Sequence, residues 1–174
     1  IKIAGGLALL LLIVHTCSRP ASASMLLLSS GNVIEQTMIE QERDDDMQRI
    51  VLSPKDIQRV YDGDTFFVNL PNQVDVLGRN IGIRIRGIDT PERRSNCRTS
   101  DQRSHEKALA TKATVLLRSQ LVSANTIVLT NLGRDKYFRV LATVYADGID
   151  VTQALMKDGL AVPYGGGAKR TWCK

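Results

Sequence analysis

The run Ile83-Arg84-Ile85-Arg86-Gly87-Ile88-Asp89-Thr90-Pro91-Glu92 constrains this chain more than any other stretch. Apolar and basic residues alternate with a period of two, the mark of a half-buried strand. Ile83 and Ile85 are therefore expected to face a core, while Arg84 and Arg86 share the opposite face. Gly87 and Pro91 bend the chain, and the bend carries Asp89 and Glu92 off the strand end. Two guanidinium groups beside two carboxylates do little for folding alone. They suit a site that holds a phosphate against a metal ion.

Short strands and two helices surround this stretch. Val51 to Val60 reads as a first strand interrupted near Pro54, followed by a tight turn at Asp62-Gly63-Asp64 and a second strand from Thr65 to Leu70. Pro71-Asn72-Gln73 and Gly78 mark a loop before the strand Ile81 to Ile88, and Arg93 to Arg103 is a polar, basic loop. A helix follows, capped by Thr99 or Asp101, with Leu109, Ala113, Leu116, Leu117 and Leu121 as its apolar stripe. Thr126 to Thr130 is a strand, Gly133-Arg134-Asp135 a turn, and Tyr137 to Tyr145 a strand closed by Asp147-Gly148. Val151 to Lys157 is a short helix stopped by Gly159. Three strands, a helix, two strands and a helix suit an α+β fold: a five-stranded Greek-key barrel of the OB type with flanking helices. A generic α+β sandwich is the alternative.

The 174 residues provide for one domain behind two N-terminal segments. Residues 1–23 carry Lys2, an apolar run from Ala4 to Val14 and a small-residue Ala21-Ser22-Ala23 site, the pattern of a cleaved secretory signal. A lipid-anchored Cys17 and an uncleaved anchor are the rivals. Residues 24–49 have a net charge of −4 and read as a flexible acidic linker, including Asp44-Asp45-Asp46. Residues 50–174 have a net charge of +7 and form the domain, whose basic balance favours a polyanionic partner, nucleic acid before anionic lipid or polysaccharide. Export would place the product in the periplasm or outside the cell, with no stable membrane association after cleavage. Nothing in the sequence demands a partner subunit, so a monomer is expected. Export also leaves Cys97 and Cys173 as an even pair, which suggests one disulfide closing about 76 residues and worth about 4 kcal/mol; two unrelated thiols are the alternative.

The chemistry rests on carboxylates and arginines. His105 is the only histidine after the leader, which leaves Ser-His-Asp catalysis and histidine-based nuclease mechanisms with little to use. There is no Walker-type glycine loop and no dinucleotide fingerprint. Asp62, Asp64, Asp89 and Glu92 sit at strand ends, and oxygen-only ligands suit a hard cation such as Ca²⁺ or Mg²⁺. Asp62 fits a turn-former better than a direct ligand. An arginine can donate two hydrogen bonds to phosphoryl oxygens, and Arg139 on a later strand is a second candidate beside Arg84.

Asp62-Gly63-Asp64-Thr65, Arg84 with Asp89-Thr90-Pro91-Glu92, and Asp135-Lys136-Tyr137-Phe138-Arg139 together resemble the three signature stretches of the staphylococcal nuclease (thermonuclease) family. Tyr145-Ala146-Asp147-Gly148, Ala154-Leu155 and Gly159-Leu160-Ala161 extend the resemblance to roughly residues 55–164. It implies an OB-fold and Ca²⁺-dependent hydrolysis of DNA and RNA to 3′-phosphate products. By that resemblance Asp64, Asp89 and the backbone oxygen of Thr90 hold the cation, and Glu92 positions or deprotonates the water. Arg84 and Arg139 bind the phosphate, and Lys136, Tyr137 and Tyr164 line the nucleotide site. Phe138 stands where the best-known members have glycine, and packing is the expected role for its ring, ahead of stacking on a base. No counterpart of those members' long C-terminal helix is expected within residues 165–174; Trp172-Cys173 is expected to fold back, with Cys173 bonded to Cys97. Alanine at Arg84 or Arg139 is expected to remove cleavage and leave the fold intact. The rival reading is a non-catalytic OB module that binds single strands.

Overall fold

Proline has no N–H to give a strand ladder, and the first strand breaks accordingly. The computed structural model describes residues 49–173; the leader at 1–23 and the acidic segment up to residue 48 lie outside the described residues. β1 (Ile50–Leu52) and β2 (Ile57–Val60) flank a 3₁₀ turn at Pro54–Asp56. The Asp56 carboxylate accepts from the Ser53 N–H at 2.8 Å and the Ser53 hydroxyl at 2.7 Å, so the break is held by its own hydrogen bonds. There follow β3 (Thr65–Val68), the one-turn helix α1 (Asp75–Gly78), β4 (Ile81–Ile85), β5 (Ile88–Asp89) and α2 (Ser100–Ser123). The chain then forms β6 (Ile127–Arg134), β7 (Val140–Ala146), β8 (Ile149–Asp150), α3 (Thr152–Lys157) and β9 (Val162–Pro163).

Seven strands make one mixed sheet in the order β1-β6-β7-β4-β3-β2, with β8 on β7, while β5 and β9 pair separately. β4 and β7 are the parallel neighbours. Because β1 and β2 are consecutive in the chain, residues 53–56 join the two ends of that order, and the sheet curls as an OB-like half-barrel. The fold is α+β, as expected. The strand count differs from five, because Pro54 divides the first strand and the two-residue strands β5, β8 and β9 are too short to show any alternation.

The core fills the curl. Phe66, Val68, Ile83, Ile85, Leu129, Ala142 and Val144 meet Leu117 and Leu121 of α2, all buried. Thr99 caps α2: its hydroxyl accepts from the Gln102 N–H at 3.3 Å and Gln102 reaches back to the Thr99 N–H. The buried stripe of α2 is Ala110, Ala113, Leu117 and Leu121, with Leu109 and Leu116 at its margin.

One turn lies elsewhere than expected. Gly133 and Arg134 pair with Leu141 and Val140 inside β6, so the chain reverses over 135–139 and β7 begins at Val140, not Tyr137. Asp135 causes the shift, because its Oδ1 accepts the N–H groups of Tyr137 and Arg139 at 2.8 and 3.0 Å and stops the ladder there.

Asp147 organises the next reversal. It has a left-handed φ of 47°, and its carboxylate accepts the N–H groups of Asn125 and Thr126, each at 2.9 Å. Those backbone hydrogen bonds hold its pKa below the ordinary carboxylate value. A depressed folded pKa stabilises the fold above the unfolded value of about 3.9 and loses that contribution as pH falls through the folded value. Asp147→Asn is therefore expected to lower Tm at pH 7, with the gap to wild type closing below about pH 4. Thermal melts of both proteins at several pH values check this; a gap that persists at low pH would contradict it.

Candidate active site

Strand register brings the distant residues together. Thr65 on β3 lies opposite Arg84 on β4, and the Ile85 N–H donates to the Asp64 carbonyl at 2.8 Å, so Asp64 sits at the strand end beside Arg84. On the other side, the pairing of Ile83 with Val140 places Arg139 beside Gly82, where a Cβ would come within 3.2 Å of the Arg139 side chain. A cleft of about 880 Å³ opens over these strand ends, and Asp62, Asp64, Arg84, Glu92 and Arg139 line it together with Lys136, Tyr137 and Tyr164.

Gly63 lets the acidic turn approach. A Cβ there would lie 2.6 Å from Ala113 of α2 and 3.0 Å from Thr90, so only glycine permits this contact. The result is a buried knot: Asp64 Oδ2 accepts from the Thr90 N–H at 3.2 Å and hydroxyl at 3.1 Å, and lies 3.1 Å from Arg84 Nη2. Burial, reinforced by the neighbouring Asp64 carboxylate, pushes the Asp62 carboxyl up to about 7. Acids crowded in this way, with oxygen donors only, fit a hard cation. Asp89 adds to the fit: it is 1% exposed, and its Oδ1 is met by a cationic side chain, the ammonium of Lys169 at 2.9 Å.

Arg84 differs from expectation. Alternation placed it on a face opposite the core, yet it is 7% exposed and donates to the carbonyls of Ile85 at 2.9 Å and Ile88 at 2.8 Å. It braces the bend at Gly87 as well as facing the cleft, so its removal would strain the fold, contrary to the expectation of an intact one. Arg86 is tied down elsewhere: its Nε and Nη2 donate to the Asn131 carbonyl at 3.2 and 2.9 Å.

Arg139 is held more lightly. Its Nε donates to Asp135 Oδ2 at 2.7 Å and its Nη1 to the Thr65 hydroxyl at 3.1 Å. The Asp135 carboxyl loses some solvation, but the Arg139 hydrogen bond and the backbone donors outweigh that and lower its pKa. Tyr137 stands beside both Lys136 and Arg139, its ring centroid 5.2 Å from Nζ and 5.5 Å from Cζ. Phe138 corrects an expectation: its ring does not pack but is 83% exposed, on a backbone with φ of 63°. That left-handed conformation costs an L-residue roughly 1–2 kcal/mol, and glycine avoids most of the cost. Phe138→Gly is therefore expected to raise unfolding stability by about 1 kcal/mol in a urea titration; a loss would mean that the ring has packing partners.

The C-terminal segment closes the site, which sequence reasoning missed in part. β9 pairs with β5, and the Tyr164 N–H donates to the Gly87 carbonyl at 2.8 Å, so the chain crosses the cleft mouth before Gly165-Gly166-Gly167. Lys169 Nζ then hydrogen-bonds Glu92 Oε1 and lies 2.9 Å from Asp89 Oδ1, while Trp172 Nε1 donates to Asp89 Oδ2 at 3.3 Å. Burial disfavours the Lys169 charge, but the contacts to Glu92 and Asp89 outweigh it and raise its pKa. Cys173 is disulfide-bonded to Cys97, with Cα atoms 5.5 Å apart. Glu106, buried in the first turns of α2, accepts the Glu92 N–H at 3.2 Å and so positions that acid. Cys97, Glu106 and Cys173 bring ligand-type atoms within 4.8 Å of one another, but the disulfide consumes both sulfurs and leaves no thiolate for a metal.

The architecture defines a class: an OB-like α+β domain with an acid cluster and two arginines over the ends of its central strands. Residues 82–171 match the model of the staphylococcal nuclease homologue family. The chain belongs to that family. It is also 32% identical over 111 residues to an uncharacterized endonuclease of Escherichia coli, and equally to one of Escherichia coli O157:H7. Each match takes in 62% of this chain and 59% of the relative's own length.

Proposed function

We propose that the chain is a Ca²⁺-dependent nuclease that hydrolyses phosphodiester bonds of DNA and RNA and leaves 3′-phosphate ends. The observation that carries this reading is the meeting of Asp64, Glu92, Arg84 and Arg139 in one cleft, reached from three separate stretches of chain. Mg²⁺ is the second candidate cation, since the donor set alone does not separate the two ions.

In this reading Asp64, Asp89 and the backbone oxygen of Thr90 hold the cation. When bound, it would polarise a phosphoryl oxygen and offset charge on the phosphate. Glu92, about 43% exposed at the cleft, orients a water and takes its proton, with the backbone fixed by Glu106. Arg139 presents its guanidinium to the phosphoryl oxygens from one side, already aimed by Asp135 and Thr65. Arg84 uses part of its five-donor fork on carbonyls and Asp64 and offers the rest to the same phosphate. Preorganised donors of this kind stabilise developing charge with little reorganisation. Tyr137, Lys136 and Tyr164 line the path of the flanking nucleotide.

Two features support export: the leader pattern at residues 1–23 and the Cys97–Cys173 disulfide, which suits an oxidising compartment. Plasmid DNA and RNA incubated with the purified chain, first with Ca²⁺ and then with EDTA, test the proposal. Degradation that stops on chelation is expected; salt-sensitive binding without cleavage would mark a single-strand-binding module instead.

A further inference from the structure

One carboxylate proposed to hold the cation, Asp89, and the one proposed to take the water's proton, Glu92, already have a counter-charge of the chain's own. Asp89 and Glu92 both face the ammonium of Lys169, and the second oxygen of Asp89 is taken by Trp172. The segment that delivers these two side chains is short and tethered at both ends. β9 anchors one end against β5, and the disulfide to Cys97 anchors the other beside Glu106. Between them Gly166 and Gly167 adopt φ values of 98° and 94°, conformations open to glycine and costly for other residues. Residues 164–172 between the two anchors belong to no helix or strand.

We propose that Lys169 is a built-in competitor for the divalent cation, held over Asp89 and Glu92 by the disulfide-closed strap. This inference rests on the cation-dependent reading of the site. An ammonium is a compact point charge, and here it lies against the two carboxylates where a cation would be most stabilised. Asp89 is 1% exposed beneath it, so a cation ligated by Asp89 has to displace Lys169 first. The binding-competent population is then the fraction with the strap lifted, and the apparent dissociation constant is the intrinsic one divided by that fraction. A ligand that binds only the lifted form also shifts the strap.

Calcium titrations of the full chain by calorimetry test this without any cleavage assay. Lys169→Met keeps the side-chain length and removes the charge. Arg170→Met removes a charge from the same strap at a residue that stacks over Trp172, 5.4 Å from its ring, and touches neither acid in the described contacts. Expected is Ca²⁺ binding at least about tenfold tighter in Lys169→Met, as when the competent fraction rises from about a tenth to near one. Arg170→Met is expected to stay within about twofold of wild type, and Lys169→Arg to remain weak, since it retains the charge. Lys169→Met equal to or weaker than wild type would overturn the inference alone, as would equal tightening by both methionine variants, which is a field effect. Failure of every variant to bind Ca²⁺ at millimolar concentration would overturn the inference together with the cation-dependent reading. Circular dichroism of Lys169→Met confirms the fold; if it is lost, Lys169→Gln is held to the same tenfold expectation.

Discussion

Arg139→Ala is expected to lower cleavage by on the order of 10²–10³, the usual cost of losing one preorganised donor to a developing oxyanion. Its Tm is expected to stay near that of wild type. The side chain is 28% exposed, and its partners are the Asp135 carboxylate and the Thr65 hydroxyl at the cleft edge. A partly exposed ion pair of this kind contributes little to stability. The Asp135 carboxylate, once released, still accepts the N–H groups of Tyr137 and Arg139, so the turn keeps its shape. Rate and melting temperature therefore separate at this position. They do not separate at Arg84, whose removal would orphan the Ile85 and Ile88 carbonyls and leave Asp64 buried without its arginine. Kinetics of Arg139→Ala at matched folded concentration decide the matter; near-wild-type rates would remove Arg139 from the chemistry.

The second large effect concerns the strap. Replacing Cys97 and Cys173 together by alanine opens a loop of 76 residues and is expected to cost about 4 kcal/mol in the loop-entropy picture. For a domain of this size that corresponds to a fall in Tm on the order of 10 °C. Wild type treated with a reductant should reproduce the fall, while the double variant should not respond to reductant. An unchanged melt in both cases would mean that the strap is held by Trp172 and β9 without the bond. The buried Trp172 ring and its hydrogen bond to Asp89 give that alternative its physical basis.

How much of this was legible in the sequence varies with the range of the interaction. The alternation at Ile83–Arg86, the break at Pro54 and the Thr99–Gln102 cap are local, and each produced the element it implied. Asp64, Glu92, Lys136, Tyr137 and Arg139 were legible as positions through their signature stretches, and Tyr164 through the wider resemblance; the structure brings them to one cleft. Alternation indicates a face but not what covers it, so the burial of Arg84 under the Gly87 bend had no sequence signal. The turn at 135–139 was displaced because Gly133 looked like a turn former, whereas the carboxylate of Asp135 decides where the ladder stops. Lys169 was illegible. Its place depends on the disulfide and the β5–β9 pairing, neither of which leaves a periodic trace. Glu106 was missed as well, since an acid in the first turns of a helix reads as a partner for the helix dipole.

Hydrolysis that leaves 3′-phosphate ends, the central proposal, requires the acids and arginines of the cleft to break the bond between phosphorus and the 5′ oxygen, and the product ends report that most directly. Labelled DNA and RNA strands would be digested by the full chain with Ca²⁺, quenched with EDTA, and their ends identified by phosphatase and kinase treatment. Expected are 3′-phosphate and 5′-hydroxyl ends on both substrates, formed only while the cation is free. Strands that stay intact, or that carry 3′-hydroxyl and 5′-phosphate ends, would contradict it.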